Sequence, residues 1–333
     1  MIKILAERVG FEPTVPCGIT GLEEGLFSDV PAIIFGDHTR IIKYVDKPFF
    51  IGADGVKVLK SKLEKANYRY LYYALKNVKI PNTGYNRHFK WLKETIFNYP
   101  NSDRQQEIVL ILNKLQSIIT HLRTQLEKLD LLVKSRFVEM FWNIENMCTI
   151  ADVCSIITDG THQPPKFTTD GIPFLFVSNI ATNEIVYNAE KFISEETYND
   201  LYKRTPIEIG DIILSTVGSY GHPAIVKTNK KFLFQRHIAY LKPIPTTINS
   251  IYLHRAILSD NVQRQIDERV KGIAQKTLNL SEIRKIVIPA PPLELQTQFA
   301  NFVKQVDQSK SILQQELTQT QTLFNSLMQE YFG

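Results

Sequence analysis

The 333-residue chain reads as an α+β protein in which two globular segments alternate with two long helices that pair as an antiparallel coiled coil. Three observations predict this. Two stretches carry apolar residues every 3.5 positions, the stretches superpose when shifted by 191 residues, and the sequence between them is rich in strand and turn residues.

Residues 1–101 make the first globule. Ala32-Ile33-Ile34, Val58-Leu59-Lys60 and Tyr70-Leu71-Tyr72-Tyr73-Ala74-Leu75 are short apolar runs separated by Gly, Pro and Asn, which is the chemistry of short strands, tight turns and a few short helices. Residues 102–143 make the first long helix. Its apolar positions run Ile108, Leu112, Leu115, Ile119, Leu122, Leu126 and Leu129, alternating steps of four and three that hold one stripe toward a partner, and then Val133, Phe137 and Met140. Ser102 offers an N-cap and Asp103 a favourable first-turn charge. A helix of about 38 residues extends ~57 Å.

Residues 144–290 make the second globule, where Asp211-Ile212-Ile213, Tyr240-Leu241-Lys242 and Tyr252-Leu253-His254-Arg255-Ala256-Ile257 repeat the three runs of the first. Residues 291–333 make the second long helix, with the seam Phe299, Val303, Val306, Lys310, Leu313, Leu317, Thr320, Phe324, Met328 and Tyr331. Gln105, Ser135, Glu139 and Phe141 return as Gln296, Ser326, Glu330 and Phe332, so the pattern is an internal repeat. Each stripe needs cover. Leu112, Leu115, Leu122 and Leu126 on one helix and Val303, Val306, Leu313 and Leu317 on the other are the expected pairing residues, with Lys310 and Thr320 weakening the seam while setting its register.

Composition narrows the function classes. Apolar residues at 44% and charged residues at 22% are those of a folded globular protein, not of a disordered or collagen-like chain. The net charge of +5 permits a nucleic-acid partner without requiring one. No apolar run reaches the ~18–20 residues that span a bilayer, and Met1 to Gly10, with Lys3, Glu7 and Arg8, does not read as a secretory leader. Cys17, Cys148 and Cys154 have no CxxC spacing, as expected of reduced thiols in a cytoplasmic protein. No phosphate-binding loop, dinucleotide fingerprint, zinc-protease helix or nucleophile elbow is present. Gln163-Pro164-Pro165-Lys166 lacks the Asn or Asp and the aromatic of the base-methylating Asn-Pro-Pro-Tyr element. Neither catalysis nor a metal site is expected in this chain.

The polar loops suit DNA, because amides and guanidinium groups read base edges while lysines neutralise phosphate. In the first globule the candidates are His38, Arg40, Lys43, Tyr85, Asn86, Arg87 and His88. In the second they are Thr161, His162, Gln163 and Lys166, then Ser219, Tyr220, His222 and Lys227, then Arg236 and His237, and finally Gln275 and Lys276. His162 and His222, each close to a proline, read as turn residues and not as metal ligands, since no third ligand stands at usable spacing.

Two further stretches carry a resemblance. Ile273-Ala274-Gln275-Lys276-Thr277-Leu278-Asn279-Leu280-Ser281-Glu282-Ile283 leads to Ile288-Pro289-Ala290-Pro291-Pro292-Leu293-Glu294-Leu295-Gln296, and Asp159-Gly160-Thr161-His162 is followed by Gly171-Ile172-Pro173 and Val177-Ser178-Asn179-Ile180. With the alternating globules and helices, the chain resembles the specificity (S) subunit of type I restriction-modification enzymes. The resemblance implies two target-recognition domains, each reading half of a split double-stranded DNA sequence, on a helical spacer that docks methyltransferase (M) subunits, two being expected. It places S-adenosylmethionine on those subunits and ATP with magnesium on a restriction (R) subunit where one exists, with no cofactor in this chain.

Aligned at 191, the second copy's start near Thr149 has no counterpart. The first domain is therefore expected to be shortened at its N-terminus by about forty residues, to lack an equivalent of the Asp159 to Ile180 element, and to carry in Met1 to Pro16 a stretch with no match. Two other readings compete: a coiled-coil adaptor that binds only proteins, its basic loops being solvated surface, and an enzyme using His162 or His222.

Overall fold

A computed structural model describes residues 3–5, 12–13, 26–51, 55–272 and 276–333. They belong to two units, Met1–Leu126 with Ile312–Gly333, and Glu127–Ser311, so each unit takes a piece of each long helix.

The first unit contains β1 (Lys3–Leu5), β2 (Glu12–Pro13), β3 (Leu26–Phe27), β4 (Ala32–Gly36), β5 (Ile42–Val45), β6 (Phe49–Phe50), β7 (Val56–Lys60), α1 (Tyr68–Lys76), α2 (Phe89–Lys93), β8 (Ile96–Asn98) and the start of α3 (Ser102–Phe141). Its main sheet runs β2-β7-β4-β5, with β1 on β8 and β3 on β6 as separate pairs. Asn67 caps α1 by accepting from the Tyr70 amide at 3.1 Å, and α1 buries Tyr70, Leu71, Tyr73, Ala74 and Leu75. That face packs with Ile33, Phe35 and Leu59 of the sheet, with Leu112, Ile119 and Leu122 of α3, and with Leu317, Phe324 and Met328 near the C-terminus; Leu115, Leu126 and Leu313 lie at its margin.

The second unit continues with β9 (Met147–Thr149), α4 (Ile150–Val153), β10 (Cys154–Asp159), β11 (Ile172–Leu175), β12 (Lys191–Ile193), α5 (Glu195–Tyr202), β13 (Ile212–Ser215), β14 (Pro223–Ile225), β15 (Leu233–Phe234), β16 (Ile238–Pro243), α6 (Ser250–Ile257), α7 (Asp260–Arg269), α8 (Leu280–Arg284), β17 (Val287–Pro289) and the start of α9 (Leu293–Phe332). Its sheets run β10-β16-β13-β14, β12-β11-β15 and β17-β9. Val133, Phe137 and Phe141 of α3 meet Phe299, Val303 and Val306 of α9 in one core with Tyr252 and Leu253 of α6. Within each unit the helices are antiparallel, since early residues of one meet late residues of the other. Lys310 is paired with Asp130 at 2.6 Å, so the polar seam position has a partner on the opposite helix.

The repeat holds down to single hydrogen bonds. Both long helices have 40 residues, Ser102–Phe141 and Leu293–Phe332. The Gln105 amide donates to the Pro100 carbonyl at 2.8 Å and the Gln296 amide to the Pro291 carbonyl at 2.9 Å. The Tyr70 hydroxyl donates to Asn98 and the Tyr252 hydroxyl to Pro289. Phe332 lies 5.3 Å from Tyr70, and Phe141 lies 4.8 Å from Tyr252. In both units a helix's last aromatic thus packs on the globule.

Two expectations are corrected. The cap of α3 is Asn101, whose Oδ1 accepts from the Arg104 amide at 3.0 Å; Ser102 is already helical. The shortfall of the first unit is also not at its N-terminus. β1 pairs with β8 as β9 pairs with β17, and β2 flanks β7 as β10 flanks β16, so Lys3–Leu5 and Glu12–Pro13 have counterparts; the rest of Met1 to Pro16 lies outside the described residues. The difference sits between the equivalent strand pairs β2 to β4 and β10 to β13, residues 14–31 against residues 160–211. In the longer span the second unit builds β11, β12 and α5, whose core is Ile172, Phe174, Ile193 and Tyr198 with Leu233. It also gains α7 between the counterparts of α1 and α2. The offset slips because insertions are internal, which a fixed shift along the sequence does not detect.

Candidate nucleic-acid interface

In an antiparallel sheet the turn between two strands and the end of a neighbouring strand lie at one edge, and this gathers loops distant in sequence. In the second unit Asp159 at the end of β10 pairs with Ala239, and Ser215 at the end of β13 pairs with Ile238. The Thr161, Arg236–His237 and Thr216–His222 segments therefore share one end of the sheet. Backbone bonds tie them: the Arg236 amide donates to Thr161 at 3.0 Å and the Thr216 amide to His237 at 2.9 Å. The loop before α8 joins the same edge, with the Gly218 amide donating to Lys276 at 3.1 Å and the Leu278 amide to Thr216 at 2.8 Å. Helix α7 buttresses the turn: Gln263 donates to the Gly221 carbonyl at 3.0 Å and the Tyr220 hydroxyl to Asp267 at 3.0 Å. Gly160 is obligatory for this closeness, because a Cβ there would lie 2.3 Å from the Phe234 carbonyl oxygen.

The first unit repeats the arrangement with different residues. The β4–β5 turn, Asp37 to Arg40, is tied to the loop before α2 by Asp37, which is buried. One carboxylate oxygen accepts from the His88 and Phe89 amides, each at 2.7 Å, and the His88 amide also donates to the Asp37 carbonyl at 3.0 Å. Arg40 adopts the left-handed φ of +61°, uncommon for a side-chain-bearing residue, which closes the turn. His38 stacks on Tyr85 with centroids 4.5 Å apart and planes 7° apart.

The sequence candidates divide accordingly. His38, Arg40, Tyr85 and Arg87 gather in the first unit, and Thr161, His162, Ser219, Tyr220, His222, Arg236, His237 and Lys276 in the second. Gln163 and Lys166 are exposed on the segment after Thr161. Gln275 lies outside the described residues. Three candidates are corrected. His88 is fully buried, its ring between the Asp37 carbonyl at 2.9 Å and the Thr83 hydroxyl at 3.3 Å, so it builds the loop and touches nothing outside. Lys43 sits within edge strand β5 opposite Ile34, away from the turn. Lys227 follows β14 at the opposite end of the sheet and pairs with Glu184 at 3.0 Å. Asn86 spends its amide on Thr83 in its own turn, and His222 has Nδ1 3.0 Å from the Asn183 side-chain oxygen.

Charge at these edges favours an anion. Asp159 is paired with Arg204 at 2.7 Å and lies 2.8 Å from His162 Nε2, and Lys276 and Arg236 are exposed. Burial and then the adjacent Arg236 hold His237 below the ordinary histidine range. Arg204 and Asn183 escaped the sequence reading because their partners lie tens of residues away and neither stands in a recognisable motif. Among the described residues no group of three or more His, Cys, Asp or Glu is placed to hold a metal, and no helix is long and apolar enough to cross a membrane. Burial pushes the unpaired Cys154 thiol up to about 12.

Two globule-and-helix copies, each with cationic loops on one sheet edge, define a duplicated binding scaffold. The type I restriction modification DNA specificity domain matches the chain twice, over residues 28–130 and 145–321. The chain belongs to that family. It is 29% identical over 171 residues to the EcoBI specificity subunit of Escherichia coli, covering 51% of this chain and 36% of that protein, and 22% identical over 319 residues to the MjaVIII specificity subunit of Methanocaldococcus jannaschii, covering 84% and 74%. The match to the first two curated relatives thus spans little more than a third of their length. The S subunit of the M. genitalium type I system has the same fold, with a TM-score of 0.56 at 16% identity over 96% of this chain and 87% of that one.

Proposed function

We propose that this chain is the DNA-reading subunit of a type I restriction-modification complex, acting in the cytoplasm and contributing recognition instead of bond-making. Each unit reads one half of a split target and the paired helices set the gap between halves. Methyltransferase subunits, two of them, dock on the helices and hold S-adenosylmethionine; a restriction subunit, where present, holds ATP and magnesium. The observation that carries the reading is the convergence, in both copies, of loops with exposed cations on the same edge of equivalent sheets. Docking is supported by Leu132 and Leu323, which stand at equivalent positions of α3 and α9, 47% and 50% exposed, outside both seams.

Deleting one heptad from each helix keeps the seam in phase and removes ~10 Å of rise, about three base pairs of B-DNA. Selection from duplexes of varied spacer length should then favour a spacer about three base pairs shorter; an unchanged spacer refutes the ruler. A binding series in salt should show affinity falling steeply while a sequence preference persists. The absence of both a salt-dependent affinity and a sequence preference would leave the protein adaptor as the answer.

A further inference from the structure

Tyr85 has no structural task that accounts for its setting. It is 88% exposed, yet it is held flat against His38. His38 in turn is backed by Gly55, where a Cβ would come 2.8 Å from the imidazole Cδ2, and the turn that carries His38 is fastened by the buried Asp37 carboxylate. A tyrosine whose only job was packing would bury its ring. Here three layers of support present the ring to the outside instead.

The surroundings specify what it meets. The acidic residue of the turn is consumed internally, so the charges that these two loops offer are the exposed guanidinium of Arg87 and the half-buried one of Arg40. Arg40 also lines a shallow cleft with Lys76, Ile41 and Val78, and among the described residues its Nε has no hydrogen-bond partner. Two cations beside an apolar lining suit one backbone phosphate with its sugar. The supported phenol next to them suits a base edge: its ring fits against a thymine methyl and its hydroxyl can meet a purine or pyrimidine acceptor.

We propose that Tyr85, with His38 and Asp37 as positioning residues, is the base-reading contact of the first unit, and that Arg40 anchors the adjacent phosphate. This rests on the DNA-reading function proposed above. In the second unit the tyrosine, Tyr220, stands instead on the counterpart of the His38 turn, half-buried and tied to Asp267, so the two units do not read with the same tool.

The test uses the full chain assembled with its methyltransferase partner and two duplex pools, each randomised in one half of the target. Tyr85→Ala, an exposed change that leaves the core untouched, should lower discrimination about tenfold at one or two adjacent base pairs of one half-site. The other half-site and the salt slope should stay as in the wild type. Arg40→Ala should do the reverse, reducing the salt slope by about one without altering base preference. His38→Ala should reproduce the Tyr85→Ala profile, because the ring loses its support. An unchanged base profile for Tyr85→Ala, with the wild type showing two half-sites, overturns this assignment alone. A wild type with no sequence preference overturns the DNA-reading function together with it.

Discussion

Replacing Asp37 by Ala isolates the contact that joins two loops about fifty residues apart. Asp37 is 2% exposed, and its carboxylate accepts the His88 and Phe89 amides at 2.7 Å each. The His88 amide keeps its second acceptor, the Asp37 carbonyl at 3.0 Å, so the Phe89 amide is the group left without a partner. A hydrogen bond to a charged acceptor contributes ~1.5–3 kcal/mol, and an orphaned buried donor costs ~1–3 kcal/mol. One full loss and one partial loss give about 3 kcal/mol, near a hundredfold in a local opening equilibrium. Amide hydrogen exchange is the direct assay. The Phe89 amide should exchange about a hundredfold faster in Asp37→Ala, while amides of the second unit keep their wild-type protection. Asp37→Asn, which retains one acceptor oxygen, should fall between. Wild-type protection at Phe89 in Asp37→Ala would refute the clamp.

Other outcomes follow from the same reasoning. Burial and then Arg255 depress His254 to about 4, below its unfolded value, so the unfolded chain takes up the proton first as pH falls. The second unit should be fully stabilised by this group above pH ~6.5 and lose up to about 3 kcal/mol as pH drops toward 4. Urea titrations at pH 7 and 4.5 measure the loss, and His254→Gln should shrink it; equal pH sensitivity in both proteins would count against the assignment. Gly160→Ala drives a Cβ into two carbonyl oxygens, 2.3 and 2.5 Å away, and neither belongs to a flexible side chain. It should destabilise the second unit by about 3 kcal/mol, seen as a lower urea midpoint, whereas an unchanged midpoint would mean the strand end relaxes freely.

Legibility in the sequence tracked the range of the interaction. The long helices were readable because a heptad seam is a local pattern, and ten positions repeat it in each copy. The cap of α3 stands one position before the expected Ser102, since Asn101 and Ser102 are both competent caps and only the backbone distinguishes them. The loops that make the candidate interface were recognisable by composition, but composition does not separate Arg87, which is exposed, from His88, which is buried one residue later. Lys227 carried the right charge, yet strand β14 delivers it to the far end of its sheet.

The sequence by itself determined the α+β class, the two helices and their duplication, because periodicity and a repeat offset need no knowledge of neighbours in space. Only the tertiary structure decided that each unit draws on both helices, that the missing segment of the first copy is internal, and that Asp37, Gly55 and His38 converge to present Tyr85. These depend on partners such as Asp37 and Phe89, whose separation along the chain leaves no periodic trace. Burial and hydrogen-bond geometry assign their roles once the strands pair.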